Sequence, residues 1–238
     1  MAVKLSHHDL RHIESEETSR FQAAYKRYGW RAVAIFCYRI FFQWPRLRSR
    51  LITFKLRFLL GSKIGKGVTF GKNISISIPG GRLEIGERTY LNDRCIMVIS
   101  VNPNARVSIG INCYVANDVL FGASREIVVG NNVLIGEFSS LRDSSHNYKD
   151  VSRNINEQGD TFGKIVIEDD VWIGRGSILI GSPETLLIGR GAIIGANSVV
   201  KNSVPAYAIA VGSPAKIIKY RKEPENLPAG TLPSGRSI

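Results

Sequence analysis

The chain has little of what builds metal centres or disulfide frameworks. Its 238 residues include three cysteines and four histidines. Cys37, Cys95 and Cys113 are odd in number and widely spaced, which excludes a disulfide scaffold and a CxxC metal or redox pair and favours a reducing compartment. Long hydrophobic runs are also missing. The longest near-continuous apolar stretch, 32–44, covers 13 residues and contains Arg39, short of the ~20 needed to cross a bilayer. It starts too late, behind a mixed polar segment, to act as a signal peptide. Acidic residues are absent from 20–63, where eleven Lys and Arg stand, so this segment carries +11 of a formal net charge of +12. Composition is otherwise globular, 44% hydrophobic and 22% charged with 23 glycines, which excludes a disordered or collagenous chain. The length suits one domain with an extension.

Large apolar side chains interleave with the cations of 20–63: Trp30, Phe36, Phe41, Trp44, Leu51, Phe54 and Phe58 among them. Spacings of three and four predict helices. Two readings stay open. The cations form the solvated face of helices packed on the rest, or the segment lies against an anionic membrane surface. No nucleic-acid-binding motif accompanies the charge.

From residue 64 the pattern changes. An aliphatic or aromatic residue followed by glycine recurs, as in Ile64-Gly65, Phe70-Gly71, Ile85-Gly86, Ile109-Gly110, Phe121-Gly122, Val129-Gly130, Ile135-Gly136, Ile173-Gly174, Ile188-Gly189 and Ile194-Gly195, and several of these are six apart. Four residues after these positions, and after aliphatic partners that lack the glycine such as Leu91, stands a small or β-branched residue, for example Val68, Thr89, Cys95, Cys113, Ser139, Ser177 and Ser198. A period of six fits neither an amphipathic helix nor a hairpin sheet; it signals a hexapeptide solenoid. Each hexapeptide forms one side of a triangular coil, 18 residues close a turn, and stacked coils pair their strands along the axis. The glycine is expected to supply the backbone freedom of the turn.

The phase slips near 79–81, between 121 and 129, and near 182–184; it is lost over 142–163, the expected site of an extruded loop. Residues 97–107 fit poorly, with Met97 and Pro103 at the aliphatic positions. The expected organisation is a basic helical extension over 1–63, the solenoid over 64–222 with a C-terminal capping segment, and a loose tail over 223–238.

The array, the loop sequence Asp143-Ser-Ser-His146-Asn-Tyr148, Val171-Trp172-Ile173-Gly174 and the run Val211 to Lys219 together resemble the hexapeptide-repeat acyltransferases. The similarity is to the galactoside, maltose and xenobiotic acetyltransferases and the polysaccharide O-acetyltransferases. The resemblance spans roughly 64–222 and implies a mainly β fold, a left-handed parallel β-helix. It further implies a homotrimer with sites between subunits and acetyl-CoA as co-substrate. The acceptor expected from this branch is a sugar hydroxyl of a surface polysaccharide or its lipid-linked precursor. A nucleotide-linked amino sugar or a small xenobiotic is the alternative, and a solenoid that has lost catalysis is a third reading.

Acyl transfer to a hydroxyl needs a base that works near neutral pH. Among the histidines, only His146 lies in the repeat region, the others being His7, His8 and His12. The resemblance makes His146 the general base. A three-histidine zinc site is excluded by that count, so no metal is expected. Asp143 is either the residue that orients the imidazole or a solvent-exposed turn residue. Asn117 stands near an acceptor-contacting asparagine of the family, although strict alignment places Ala116 there. Trp172 either walls the pocket or packs outward on a neighbour. By position, Arg175, Ala196, Lys201, Asn202, Lys216 and Lys219 match the CoA-contacting residues. Lysine at 216 and 219 replaces common arginines and lacks their bidentate fork. The chain is expected in the cytoplasm, peripheral to the inner face of the membrane if 20–63 binds lipid.

Overall fold

A computed structural model describes residues 45–181 and 183–221, together with Lys26, Arg27, Gly29 and Val33. The tail 223–238, Cys37 and nearly all of 1–44, including most of the expected helical extension, lie outside the described residues. By internal contacts the chain separates into two units, Met1–Arg48 and Ser49–Ile238.

The larger unit is a three-sided parallel β-solenoid. Its first face carries Lys63–Ile64, Arg82–Ile85, Arg106–Ile109, Glu126–Val129, Lys164–Ile167 and Thr185–Ile188. The second carries Thr69–Phe70, Tyr90–Leu91, Tyr114–Val115, Leu134–Ile135, Trp172–Ile173, Ile193–Ile194 and Ala208–Val211. The third carries Ser75–Ser77, Ile96–Ile99, Leu120–Ala123, Ser140–Arg142, Ile178–Ile180 and Val199–Val200. Alternate residues of the longer strands point inward, so Ile85, Ile109, Val129, Ile167 and Ile188 stack beneath one face and Leu91, Val115, Ile135, Ile173 and Ile194 beneath the next. Burial of these columns drives the fold.

The register explains the slipped period. Inward residues are six apart from the first face to the second and six again to the third, as in Ile64, Phe70 and Ile76. From the third face back to the first the spacing runs 9 from Ile76 to Ile85, 12 from Met97 to Ile109, 8 from Phe121 to Val129 and 26 from Leu141 to Ile167. It returns to 9 from Leu179 to Ile188 and closes at 4 from Val200 to Val204. Every insertion therefore falls on one edge of the prism, the loop edge, while the other two edges are tight. The stretch 97–107 belongs to a regular coil with a long corner: Met97, Ile99, Ala105 and Val107 are buried, and Pro103 sits in the corner. Val204 pairs with Ile188 as a first-face position, not as a corner residue.

The repeat glycines do a different job from the one expected. A Cβ on Gly71 would lie 2.3 Å from the Asn92 carbonyl carbon, and one on Gly136 would lie 2.5 Å from the Arg175 nitrogen. They admit the neighbouring coil. The left-handed backbone falls two residues later, at Asn73, Arg88, Arg94, Asn112, Asp118, Asn132, Phe138, Asp170 and Asn197, with φ between 53° and 62°. Short polar residues that tolerate this region fill most of these sites. The small corner residues are buried, and burial pushes the Cys95 thiol up to about 11 and raises that of Cys113. Both act as small apolar fillers.

Helix α1 (Pro45–Phe54) continues through a π-helical turn, Lys55–Leu59, and from Ser49 onward this element closes the N-terminal end of the prism. The first coil has no strand beneath it, so its backbone groups need other partners. The Phe70 amide donates to Ser49 Oγ at 2.9 Å, and Arg57 Nε donates to the Ile64 carbonyl at 3.0 Å. Leu56 seals the core beneath. At the other end Lys216–Tyr220 folds back antiparallel on Ala208–Val211. No described helix is long and apolar enough to cross a membrane.

Candidate active site

The widest insertion on the loop edge carries the only histidine among the described residues, and its neck is fixed by Asp143. The Asp143 amide donates to the Gly122 carbonyl, and the Gly163 amide donates to the Asp143 carbonyl at 2.7 Å, so the segment leaves and re-enters at one point. Beyond the neck, Ser144–His146 and Asp160–Phe162 pair as an antiparallel hairpin, with His146 opposite Asp160. The Asn147 amide donates to the Gly159 carbonyl, its side-chain NH2 donates to the Gln158 carbonyl, and Thr161 Oγ1 donates to Asn147 Oδ1. Gln158 then ties the tip, donating to the carbonyls of Asp150 and Arg153 and accepting from the Asp150 amide. The loop is long but internally bonded, so the imidazole stands on a defined support.

His146 Nδ1 lies 2.6 Å from Asp160 Oδ1. A carboxylate only accepts, which makes Nδ1 the protonated nitrogen and leaves the Nε2 lone pair free. The imidazole is exposed in the single chain. Asp143 does not orient it, nor is it a solvent-exposed turn. Asp143 is fully buried, and its carboxylate accepts from the amides of Ser124, Arg125 and Glu126 at 2.7, 2.8 and 2.6 Å. It clamps the preceding corner to the loop neck. Asp160, Asn147 and Gln158 went unnoticed in the sequence because hairpin pairing, not linear spacing, brings them to the histidine strand. The mirrored polar clusters around 144–148 and 158–161 were the available signal.

The other expected residues separate onto different parts of the prism. Asn117, Arg175 and Ala196 lie on the tight edge between the second and third faces. The Phe138 amide donates to the Asn117 carbonyl, the Gly176 amide to that of Glu137 and the Asn197 amide to that of Arg175, so Arg175 and Ala196 occupy adjacent levels, and the Glu137 level separates them from Asn117. Asn117 Oδ1 accepts from the Asp93 amide at 3.1 Å, which gives it a place in the coil-to-coil ladder. Arg175 meets Glu137 at 3.4 Å and lies over the Phe138 ring, 5.5 Å from its centre. Trp172 points outward from the second face, half-exposed in a column with Tyr90, Tyr114 and Leu134. Lys201 and Asn202 follow the last third-face strand on the loop edge, and Lys216 and Lys219 stand exposed on the terminal antiparallel strand. Among the described residues these lysines have no ion pair, and they can meet phosphate, which suits a polyanionic ligand.

His146 and the Asn117–Arg175–Ala196 row thus occupy different edges of one chain, separated by the third face. Arrays of this kind can remove a proton at Nε2 and hold a phosphorylated ligand beside it.

No protein-family model matches the chain. It is 31% identical over 173 residues to "Probable acetyltransferase Rv3034c" of Mycobacterium tuberculosis, covering 70% of this chain and 55% of that protein. It is 29% identical over 185 residues to "Putative colanic acid biosynthesis acetyltransferase WcaF" of Escherichia coli, covering 77% of this chain and 83% of that one. A "Putative acetyltransferase" of Schizosaccharomyces pombe matches at 42% identity over 94 residues, 39% of this chain and 42% of the relative. The chain therefore spans about half the length of the mycobacterial and yeast relatives. Among solved structures, AntD, an N-acyltransferase from Bacillus cereus in complex with dTDP and 3-hydroxybutyryl-CoA, superposes with a TM-score of 0.61 at 27% identity, covering 73% of this chain and 89% of AntD.

Proposed function

We propose, from the likeness to the mycobacterial and WcaF acetyltransferases and from the hexapeptide solenoid, that the chain is a hexapeptide-repeat acetyltransferase that moves an acetyl group from acetyl-CoA to a sugar hydroxyl with His146 as general base. The His146–Asp160 pair on its braced hairpin carries the reading. Acetyl-CoA supplies the acetyl group as an activated thioester. Asp160 holds Nδ1–H, so Nε2 takes the proton of the attacking hydroxyl and later gives it to the departing sulfur; the C–O bond forms as the C–S bond breaks. The paired carboxylate also favours the imidazolium that exists between those two transfers. Arg175, Ala196, Lys201, Asn202, Lys216 and Lys219 hold the CoA moiety, its phosphates at the lysines, while Asn117 and Trp172 face the acceptor. Asp143 acts by fixing the loop.

The acceptor is a surface polysaccharide or its lipid-linked precursor, met by a cytoplasmic homotrimer. The name of the WcaF relative supports the glycan class. Two observations support assembly: the base and the Asn117–Arg175–Ala196 row sit on different edges, and the loop tip leaves Tyr148, Val151 and Ile155 exposed. The likeness to AntD with its bound dTDP favours, as the second reading, N-acylation of a nucleotide-linked amino sugar.

Purified protein, acetyl-CoA and a panel of surface glycans, lipid-linked oligosaccharides and nucleotide-linked amino sugars, followed by mass spectrometry, decides between them. With the active acceptor, His146→Ala lowers kcat by about 10²–10⁴-fold. Unchanged turnover in that variant ends the catalytic assignment.

A further inference from the structure

The helical cap presents a surface that the acyl-transfer reading does not use. Of the cap residues 50–61, only Leu56 is buried, and Ile52 and Thr53 are half-buried. Leu51 and Phe54 are 56% and 57% exposed, and Phe58 and Leu59 reach 72% and 71%. The Phe54 and Phe58 rings stack with centres 4.6 Å apart, forming one continuous apolar patch. Large apolar side chains held outward in this way mark an interaction site. Arg50 and Lys55 stand exposed beside them, and the sequence has no Asp or Glu from 18 to 83.

We propose that this cap docks the molecule on an anionic lipid bilayer, Leu51, Phe54, Phe58 and Leu59 entering the headgroup boundary and Arg50 and Lys55 meeting the lipid phosphates. The balance of charge selects this occupant. A second copy of the cap would bring Arg50 and Lys55 against the same cations, and Glu84, which lines one pocket with Arg57, is already paired with Lys63. An anionic leaflet offers both the apolar boundary and the opposite charge. The patch belongs to the Ser49–Ile238 unit, so its role is independent of what the preceding basic segment does. It also goes beyond the acetyl-transfer reading, since vesicle binding is measured without turnover.

The test is co-sedimentation of the full chain with phosphatidylcholine vesicles and with phosphatidylcholine–phosphatidylglycerol vesicles, at low and high salt. Binding is expected on the anionic vesicles, falling with salt, with little on the neutral ones. The Phe54→Ser/Phe58→Ser/Leu59→Ser variant loses at least about tenfold in vesicle affinity while its unfolding temperature holds, because these side chains are solvent-exposed already. Arg50→Glu/Lys55→Glu, which keeps the apolar patch, loses a similar factor at about fivefold per cation removed. Three results overturn the proposal: no partition onto anionic vesicles, full binding retained by both variants, or a loss of self-association in the serine variant with vesicle binding intact.

Discussion

Asp143 accepts from three amides at a buried corner, so any replacement strands donors that water cannot reach. An unpartnered buried donor costs about 1–3 kcal/mol. Asp143→Ala should therefore lower unfolding free energy by about 3–5 kcal/mol in urea titrations, and Asp143→Asn should recover little, because an amide offers one acceptor oxygen in place of two. Asp160 stands in the opposite situation. It is part-exposed and bonded to one imidazole, so Asp160→Asn should leave the urea midpoint nearly unchanged while lowering kcat about 10–10²-fold, a fraction of what a positioned base supplies. KM for acetyl-CoA should stay put in that variant, and Asp160→Glu should restore part of kcat. A shared urea effect of the two replacements would contradict these separate roles. Sequence spacing alone pointed at Asp143, three positions before the histidine. Strand geometry reverses the choice, since the partner of a hairpin residue comes from the opposite strand.

At the scale of elements, the faces were legible and the loop edge was not. Inward residues recur every six positions across the two tight edges because a buried column tolerates few side chains, and that constraint writes itself into the sequence. The loop edge faces solvent, where spacing is free, so corners of different length looked like lapses of the repeat; Pro103 read as a faulty coil position for that reason. The His146 hairpin is held to this edge at a point with no spare volume. A Cβ on Gly163 would fall 1.8 Å from the Gly181 carbonyl oxygen and 2.5 Å from that of Glu184. Backbone must move to admit it. Gly163→Ala should destabilise by about 3 kcal/mol, seen as a fall in Tm of about 6–12 °C. The displaced hairpin should also lower turnover; a variant with wild-type Tm would show that the neck is looser than its contacts indicate.

For the molecule as a whole, the two ends of a solenoid are its exposed weakness, because a stack of parallel strands always leaves a last coil with unpaired backbone. Here the C-terminal end of the second face is covered by its own returning strand, Lys216–Tyr220. The N-terminal end depends on helix α1 and its π-helical turn, through Ser49 on Phe70, Arg57 on Ile64 and Leu56 over the core. The same short element thus seals the prism on one side and shows lipid-seeking residues on the other. These two jobs are separable by experiment. A chain beginning at Ser62 should expose the first coil, its Ile64 carbonyl and Phe70 amide open to pair with another molecule, and light scattering should report concentration-dependent growth beyond the assembly of the full chain. Ser49→Ala/Arg57→Ala in the full chain should shift in the same direction but less, since Leu56 still covers the core. The serine variant of the exposed face should not aggregate at all. If the shortened chain keeps the size and Tm of the full one, the first coil closes itself, and the cap serves only as a docking surface.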